Sequence, residues 1–426
     1  TNSSYIGNSG IDTDIFLNNN IGVGSGYVNG QGDISSSKSS SRLIALFARV
    51  IYNYNEKYLA TASLRREGSS KFGDNNKWGL FPAVSLGWRL NQESFMENVG
   101  WINDLKLRAG FGITGNQDFG PYRSLILLER VGSLYYNQEW INSYGPAQNP
   151  NPDLRWEKKM ELNVGVDFSI LDNRLRGSLE FYQRRTEDLL WEFDVSVPPY
   201  LYKTLFTNVG TISNQGVELT LNGPVIRRSD FQWNATLTAS HNRNRLDKIS
   251  NEEFTQTSYP WATTSGILVT FTQRIQEGEA LGTFYGPVWI GVDEDGHDIF
   301  KNQNPVGEVS EDDWEDIGNA TPFAIVGWSN DLRYKNWALS VNFRAGIGGK
   351  VLNFYGLYYE WCQRMELTNV IHTQYENPNF DGNIIYSSKY VEDATFLKLD
   401  NVTLSYNFNV KSGYISGLNV FSSAQN

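Results

Sequence analysis

The sequence predicts an all-β chain, an antiparallel transmembrane β-barrel segment with long extracellular loops and short periplasmic turns. Three observations predict it. Apolar and polar side chains alternate with period two over long runs, many times along the chain. Trp or Tyr marks the ends of several runs, as in residues 54–96, YNEKYLATASLRREGSSKFGDNNKWGLFPAVSLGWRLNQESFM. The connections between runs are alternately short and long. Soluble strands usually stop after about 5–6 residues, whereas membrane-crossing strands need about 9–11 tilted residues between interfacial aromatics.

Residues 1–40, with NNNIGVGSGYVNGQGDISSSKSS, read as a Gly/Asn/Ser-rich outer loop. The GVGSG inside them lacks the strand–turn–helix context of a phosphate cradle. The barrel segment is expected over 41–426. In 43–54, Ile44, Leu46, Ala48, Val50, Tyr52 and Tyr54 share a face, with Arg49 and Asn53 opposite. In 105–113, Leu105, Leu107, Ala109, Phe111 and Ile113 oppose Lys106, Arg108, Gly110 and Gly112. Leu162, Val164, Val166, Phe168 and Ile170 oppose Glu161, Asn163, Gly165, Asp167 and Ser169. Val217, Leu219 and Leu221 oppose Glu218, Thr220 and Asn222, and Phe231, Trp233, Ala235, Leu237 and Ala239 oppose Gln232, Asn234, Thr236, Thr238 and Ser240. Leu339, Val341, Phe343 and Ala345 oppose Ser340, Asn342 and Arg344. The stretch FLKLDNVTLSYNF (396–408) alternates less cleanly and still reads as a strand. The pattern yields roughly 12 to 14 strands.

Tight connections are expected at 55–57, 172–174, 223–230, 335–336 and 409–417. Long ones, rich in Gly, Asn, Pro and aromatics, are expected at 67–77, 115–155, 186–215, 242–321 and 346–395. Outer-membrane barrels place short turns in the periplasm and long loops outside.

Composition fits this picture and closes other routes. Aromatics are 14% and charged residues 19% of the 426 residues. No stretch of about 20 apolar residues offers a transmembrane helix, a test that a barrel escapes because only alternate side chains meet lipid. The net charge of −11 argues against nucleic acid as a partner, since phosphate neutralisation needs clustered Lys and Arg. Cys362 stands alone, so it has no intrachain disulfide partner.

The search for catalysis comes up short. His241, His297 and His372 lie far apart, and no HExxH, CxxC, GxSxG or Walker pattern occurs. The pairs Glu252–Glu253 and Asp312–Asp313 read as solvated loop charge, and no enzyme is expected. No cofactor is required. VDEDGHDIF (292–300) places Asp293, Asp295 and Asp298 around Gly296, a pattern that suits calcium but lacks the complete acidic run of a dedicated calcium loop. The loops also hold aromatics that a barrel wall does not require: Tyr135, Tyr136, Trp140, Trp191, Tyr200, Tyr202, Tyr259, Trp261, Tyr358, Tyr359 and Trp361. Aromatic faces beside polar groups suit sugar rings or peptide side chains, and these residues form the candidate substrate and partner surface.

Several long phrases resemble the SusC/RagA family of TonB-dependent outer-membrane transporters. They are YNEKYLATASLRREGSSKFG with WGLFPAVSLGWRL, LKLRAGFGITGNQDFGPY (105–122), NPNPDLRWEKKMELNVGVDFSILDNRLRGSLEFYQRRTEDLL (149–190), NVGTISNQGVELTL (208–221), IGNATPFAIVGWSNDLRYKNWALSVNFRAGIGGKVLN (317–353) and VEDATFLKLDNVTLSYNF (391–408). The resemblance implies part of a 22-stranded barrel set in outer-membrane lipid. It implies active import of a glycan or peptide ligand, a SusD-like surface lipoprotein as a lid, and TonB acting through segments that this sequence does not contain. The plug and N-terminal domain of the family are absent here, and GLNVFSSAQN (417–426) resembles a point at which about three strands remain, so a piece of a longer protein is expected. The alternative is a non-transporting, secreted or envelope β-rich binding or structural module.

Overall fold

The computed structural model describes residues 39–264, 270–294, 297–301, 309–360, 369, 385–410, 415 and 417–426. Among the described residues, twelve long strands form one antiparallel meander in which each wall strand pairs with the next one along the chain. They are Leu43–Tyr54, Tyr58–Ser69, Trp78–Arg89, Ile102–Asn116, Glu157–Ile170 and Leu175–Glu187, followed by Thr211–Arg227, Phe231–Lys248, Ala324–Tyr334, Trp337–Ile347, Phe396–Phe408 and Leu418–Gln425. Eleven of the twelve have 11 or more residues, as a strand crossing a bilayer requires.

Register turns the alternation along each strand into a property of the whole wall. Directly paired residues point to the same side of a sheet. One paired row runs Tyr54, Tyr58, Trp88, Leu107, Val166, Leu179, Leu219, Ala239, Val326, Ala345, Leu397. Every member is apolar, and Leu397 is 76% exposed. A row on the other face runs Arg89, Lys106, Asp167, Ser178, Thr220, Thr238, Gly327, Arg344, Lys398. In water such an unbroken apolar band would be costly. In a bilayer it is the required surface, with the polar row turned to the lumen. Phe168, Leu179, Leu219, Leu237 and Val341 lie on the apolar side, and Asn163, Glu180, Thr220, Thr236 and Asn342 on the polar one.

Irregularities have local causes. The register shifts between Asn342 and Phe343, so that Asp400 is the extra residue of a bulge. Before it Leu397 and Leu399 face outwards, and after it Val402 and Leu404 do, which explains the unclean alternation of 396–408. Pro224 lacks an N–H and sits at a second shift, between Pro224 and Ile226. The strand continues past it to Arg227, so the turn expected over 223–230 is only 228–230.

One set of connections occupies 55–57, 90–101, 171–174, 228–230, 335–336 and 409–417, and the other 70–77, 117–156, 188–210, 249–323 and 348–395. Four of the second set are long, but 70–77, expected among the long ones, is shorter than 90–101 because its flanking strands extend to Ser69 and Trp78. The two sets lie at opposite ends of the wall. Asn55, Asp172 and Asn173 take the left-handed conformation, with φ of 51°, 55° and 60°, and Asn and Asp tolerate that region best after Gly. The 90–101 connection, with two short 3₁₀ turns, is one that the alternation pattern did not single out.

Sidedness is directly testable. In a Cys362→Ser background, single cysteines at Asn173 and Lys335 are expected to resist an impermeant thiol reagent on intact cells, while cysteines at Asn75 and Glu139 are expected to react. Reversed labelling would invert the topology.

Candidate functional site on the outer loops

The long loops are ordered by cores of their own. The first core holds Phe72 from loop 70–77, Leu154 and Trp156 from loop 117–156, and Phe81 of the wall, with Phe206 of loop 188–210 packed against it. The second joins Phe193, Leu205 and Val209 of loop 188–210 to Ile249, Phe254 and Ile275 of loop 249–323. The third joins Phe284 of that loop to Leu357, Tyr386, Tyr390 and Val391 of loop 348–395. The five loops are therefore linked in series. Short strands stiffen them, including a four-stranded sheet of Ser258–Thr263, Phe271–Gln276, Thr283–Gly286 and Glu315–Asn319.

The phrase NPNPDLRW acquires a physical meaning here. Pro150 and Pro152 carry no N–H, and buried asparagines supply the missing pairing to the 190–208 hairpin. Asn149 donates from Nδ2 to the carbonyls of Tyr202 (2.7 Å) and Thr204 (2.8 Å), and its Oδ1 accepts from the Leu201 and Tyr202 amides. Asn151 donates to the Phe206 carbonyl at 3.0 Å. Asn208 donates back to the carbonyls of Arg155 and Asp188. Gly73 must be glycine in this packing, since a Cβ there would lie 1.7 Å from the Pro152 carbonyl oxygen.

The aromatic candidates do not converge on one pocket. Tyr135 and Trp140 pair across an exposed hairpin, ring centres 5.2 Å apart, with exposed Tyr136 at its tip. Trp191, Tyr200 and Tyr259 are half-buried against the second loop core, which accounts for them as packing residues. Exposed Trp261 packs against Trp191 with the rings tilted by 48° and their centres 5.2 Å apart. The hydroxyl of Tyr200 donates to Glu253, and that of Tyr202 to the Pro146 carbonyl. Tyr358 and Tyr359 are half-buried on the short helix Phe354–Tyr359, ring centres 5.0 Å apart. Trp361 lies outside the described residues, as do Cys362, His372 and Asp295.

The two acidic candidates among the described residues, Asp293 and Asp298, each have local partners. Asp298 pairs with Lys389 at 3.2 Å and accepts from the Trp289 indole at 2.8 Å. The Oδ1 of Asp293 accepts the His297 amide at 2.7 Å. Among the described residues no group of three or more His, Cys, Asp or Glu is placed to hold a metal ion.

Glu277 is a stronger electrostatic feature. Burial opposes its charge, but the Ser250 hydroxyl and the Ile249 and Ser250 amides, at 2.6, 2.7 and 2.8 Å, outweigh it and hold the carboxyl below its ordinary 4.5. A lowered folded-state pKa contributes stability that is present above the ordinary value and lost as pH falls through the folded one. Amide protection of Ile249 and Ser250 is therefore expected to drop as pH falls below the ordinary carboxylate value, and to become insensitive to acid in Glu277→Gln. Equal acid sensitivity in both proteins would refute this role.

The lumenal face of the wall carries its own network. Arg108 bridges Asp167 (2.8 Å) and Glu180 (3.1 Å), Arg184 pairs with Glu161 at 2.9 Å, and Arg344 with Asp400 at 3.2 Å. A cleft of about 570 Å³ runs beside it, lined by Thr61, Ser85, Lys106, Arg108, Glu161 and Asn163 among others.

Comparison with known proteins agrees with this architecture. The family model described as TonB dependent receptor-like, beta-barrel, matches residues 2–420. The chain is 32% identical over 423 residues to TonB-dependent receptor P3 of Formosa agariphila, covering 91% of this chain and 41% of that protein. It is 29% identical over 390 residues to TonB-dependent receptor SusC of Bacteroides thetaiotaomicron, covering 86% and 38%. The RagAB peptide importer in its open-open state superposes with a TM-score of 0.77 at 23% identity, over 93% of this chain and 45% of that one. The chain thus spans about two fifths of the curated relatives' length. These relatives are named receptors and not enzymes. With an apolar row unbroken across eleven strands, loops massed at one end and a family match over nearly all its length, the chain belongs to the TonB-dependent receptor β-barrels of the bacterial outer membrane.

Proposed function

We propose that this chain supplies wall and outer rim to an active importer of a large nutrient, an oligosaccharide or peptide, working with a SusD-like surface lipoprotein. The observation that carries the reading is the belt of outer loops. Three cores hold five loops together above a lipid-facing wall, and four of them exceed the about 12–15 residues beyond which loops are usually functional. A rim of this kind suits a lid that closes over captured cargo. The relatives named SusC and RagAB support the class of activity, and RagAB is described as a peptide importer. The lid is expected over 249–323 and 348–395, with Trp261, Tyr358 and Tyr359 near the boundary. TonB would act through segments outside this chain.

The test is uptake and co-purification with the full-length protein. A lipoprotein is expected to accompany the barrel out of the outer membrane in mild detergent, and uptake is expected to cease when TonB is disrupted. If no lipoprotein accompanies the barrel and trimming both loops leaves uptake unchanged, capture by a lid is wrong.

A further inference from the structure

The lipid-facing side of the wall changes character at one place near its outer end. On Phe231–Lys248 the outward side chains are Phe231, Trp233, Ala235, Leu237 and Ala239, then His241, Arg243 and Arg245. From Phe231 to His241 the strand advances ten residues. At about 3.4 Å each and a tilt of about 35–45°, that is a climb of roughly 25 Å, the height of the lipid-facing band. Arg243 and Arg245 therefore stand at the level of the lipid headgroups.

Register gathers more polar groups beside them. Gln215 pairs with Arg243 on one side and Gln183 on the other, and Ser213 likewise separates Arg245 from Arg185. Lys158, paired with Glu187, follows on the next strand. The paired row from Tyr54 to Leu397 climbs from a periplasmic turn to an outer loop, so a level line crosses such rows diagonally. Arg243, Arg185 and Lys158, each one row further out than the one before, fall along that diagonal. All three are exposed, as is Arg245. Gln183, Ser213, Gln215, Arg243, Arg245 and Asp247, with Asn214, line a cleft of about 190 Å³. Further along the wall, Ala324, Ile347 and Leu397 hold the outer ends of the same face, so the basic patch is local.

Its charges are incompletely matched. Arg185 lies 3.0 Å from Glu187, and Arg245 3.9 Å from Asp247, whose Oδ1 also accepts from the Ser213 hydroxyl at 3.0 Å. Each carboxylate sits further from the hydrocarbon than the arginine it faces. Arg243, one step nearer the apolar band than Arg245, has no ion pair or side-chain hydrogen bond among the described residues. A guanidinium at the edge of hydrocarbon is costly unless an anion meets it.

We infer that Arg243, Arg245 and Arg185, with Gln183, Gln215 and Ser213, form a site for the phosphate of an anionic lipid headgroup in the outer leaflet. Phosphate is the anion that a membrane presents at this depth. Guanidinium forks match its oxygens two at a time, and the amides and hydroxyl between them supply further hydrogen bonds. Imported cargo is excluded as the occupant, because these side chains lie on the face opposite the lumen. The site needs only the membrane placement of the wall and not the import reading.

The probes are lipid A, the same lipid stripped of its phosphates, and inorganic phosphate. Each is titrated into the full-length receptor in mild detergent and followed by native mass spectrometry. Lipid A is expected to bind about tenfold or more tightly than its dephosphorylated form, the worth of one charge-assisted hydrogen bond. The double variant Arg243→Gln, Arg245→Gln is expected to lose that preference, while Arg333→Gln, on the lumenal face, keeps it. Heat-modifiable migration checks that each variant is folded. The double variant Arg243→Lys, Arg245→Lys separates a built site from the general attraction of a basic rim to anionic lipid. It keeps the charge and loses the fork, so weaker binding is expected. Binding that ignores the phosphates, survives the glutamine pair or is unchanged in the lysine pair would overturn the site. Displacement of the lipid by an equal concentration of inorganic phosphate would do the same, marking a site for the free ion.

Discussion

Arginine in place of Leu219 is expected to destabilise the barrel in lipid by about 2–4 kcal/mol, and arginine in place of the adjacent Thr220 by far less. Leu219 is the central residue of Thr211–Arg227 and belongs to the apolar row, flanked by Leu179 and Ala239. A guanidinium there must enter hydrocarbon near the midplane, where neither water nor a partner meets it. Thr220 is one residue further on and faces the other way, between Ser178 and Thr238. An arginine there reaches the same polar surface that already holds Arg108 and Arg344. Urea-dependent unfolding of the full-length barrel in vesicles would measure both costs. Equal costs, or the reverse order, would place the apolar row on the wrong side of the wall.

The second large effect is local. Trp156→Ala is expected to cost about 3–5 kcal/mol, nearly all of it in the outer loops. The Trp156 side chain is 2% exposed, its ring centre is 4.5 Å from that of Phe72, and its indole donates to the Lys77 carbonyl at 3.1 Å. Its removal leaves a cavity in the core that holds loops 70–77 and 117–156 together, and takes one of two hydrogen bonds from the Lys77 carbonyl, which keeps the Ser69 amide. The wall below keeps its strand pairing. Limited proteolysis of the folded protein should therefore cut those two loops in the variant while the wall stays protected. Unchanged loop protection, or a collapse of the wall at the same denaturant concentration, would show that the loop core does not have this role.

What could be read from the sequence divides along physical lines. Wall strands were legible because each face meets a different medium, so period two persists over their whole length. The exception proves local: the Asp400 bulge changes the phase of 396–408 by one residue, and Pro224 masked the end of its strand. Loop strands were not legible, since elements such as Lys350–Leu352 and Asp298–Phe300 are three residues long and carry no measurable period. Composition also cannot separate an aromatic that meets a ligand from one that packs a loop. Trp191 and Tyr259 turned inwards while Trp140 stayed out. The ion pair of Asp298 was equally hidden, since its partner, Lys389, lies 91 residues away in sequence.

The serial arrangement of the loop cores bears on how such receptors diversify. Phe193 of loop 188–210 rests on Phe254 of loop 249–323, at 4.8 Å between ring centres, and Tyr386 of loop 348–395 donates to the Thr272 carbonyl at 2.6 Å. A loop transplanted singly between receptors would arrive with half of each core it shares. A cut at 228–230 divides the second core and a cut at 335–336 the third, whereas a block running from 55–57 to 409–417 carries all three cores intact. The outer rim would then pass between receptors as one contiguous sector of the barrel, and chimaeras built at the outermost turns should fold where single-loop grafts do not.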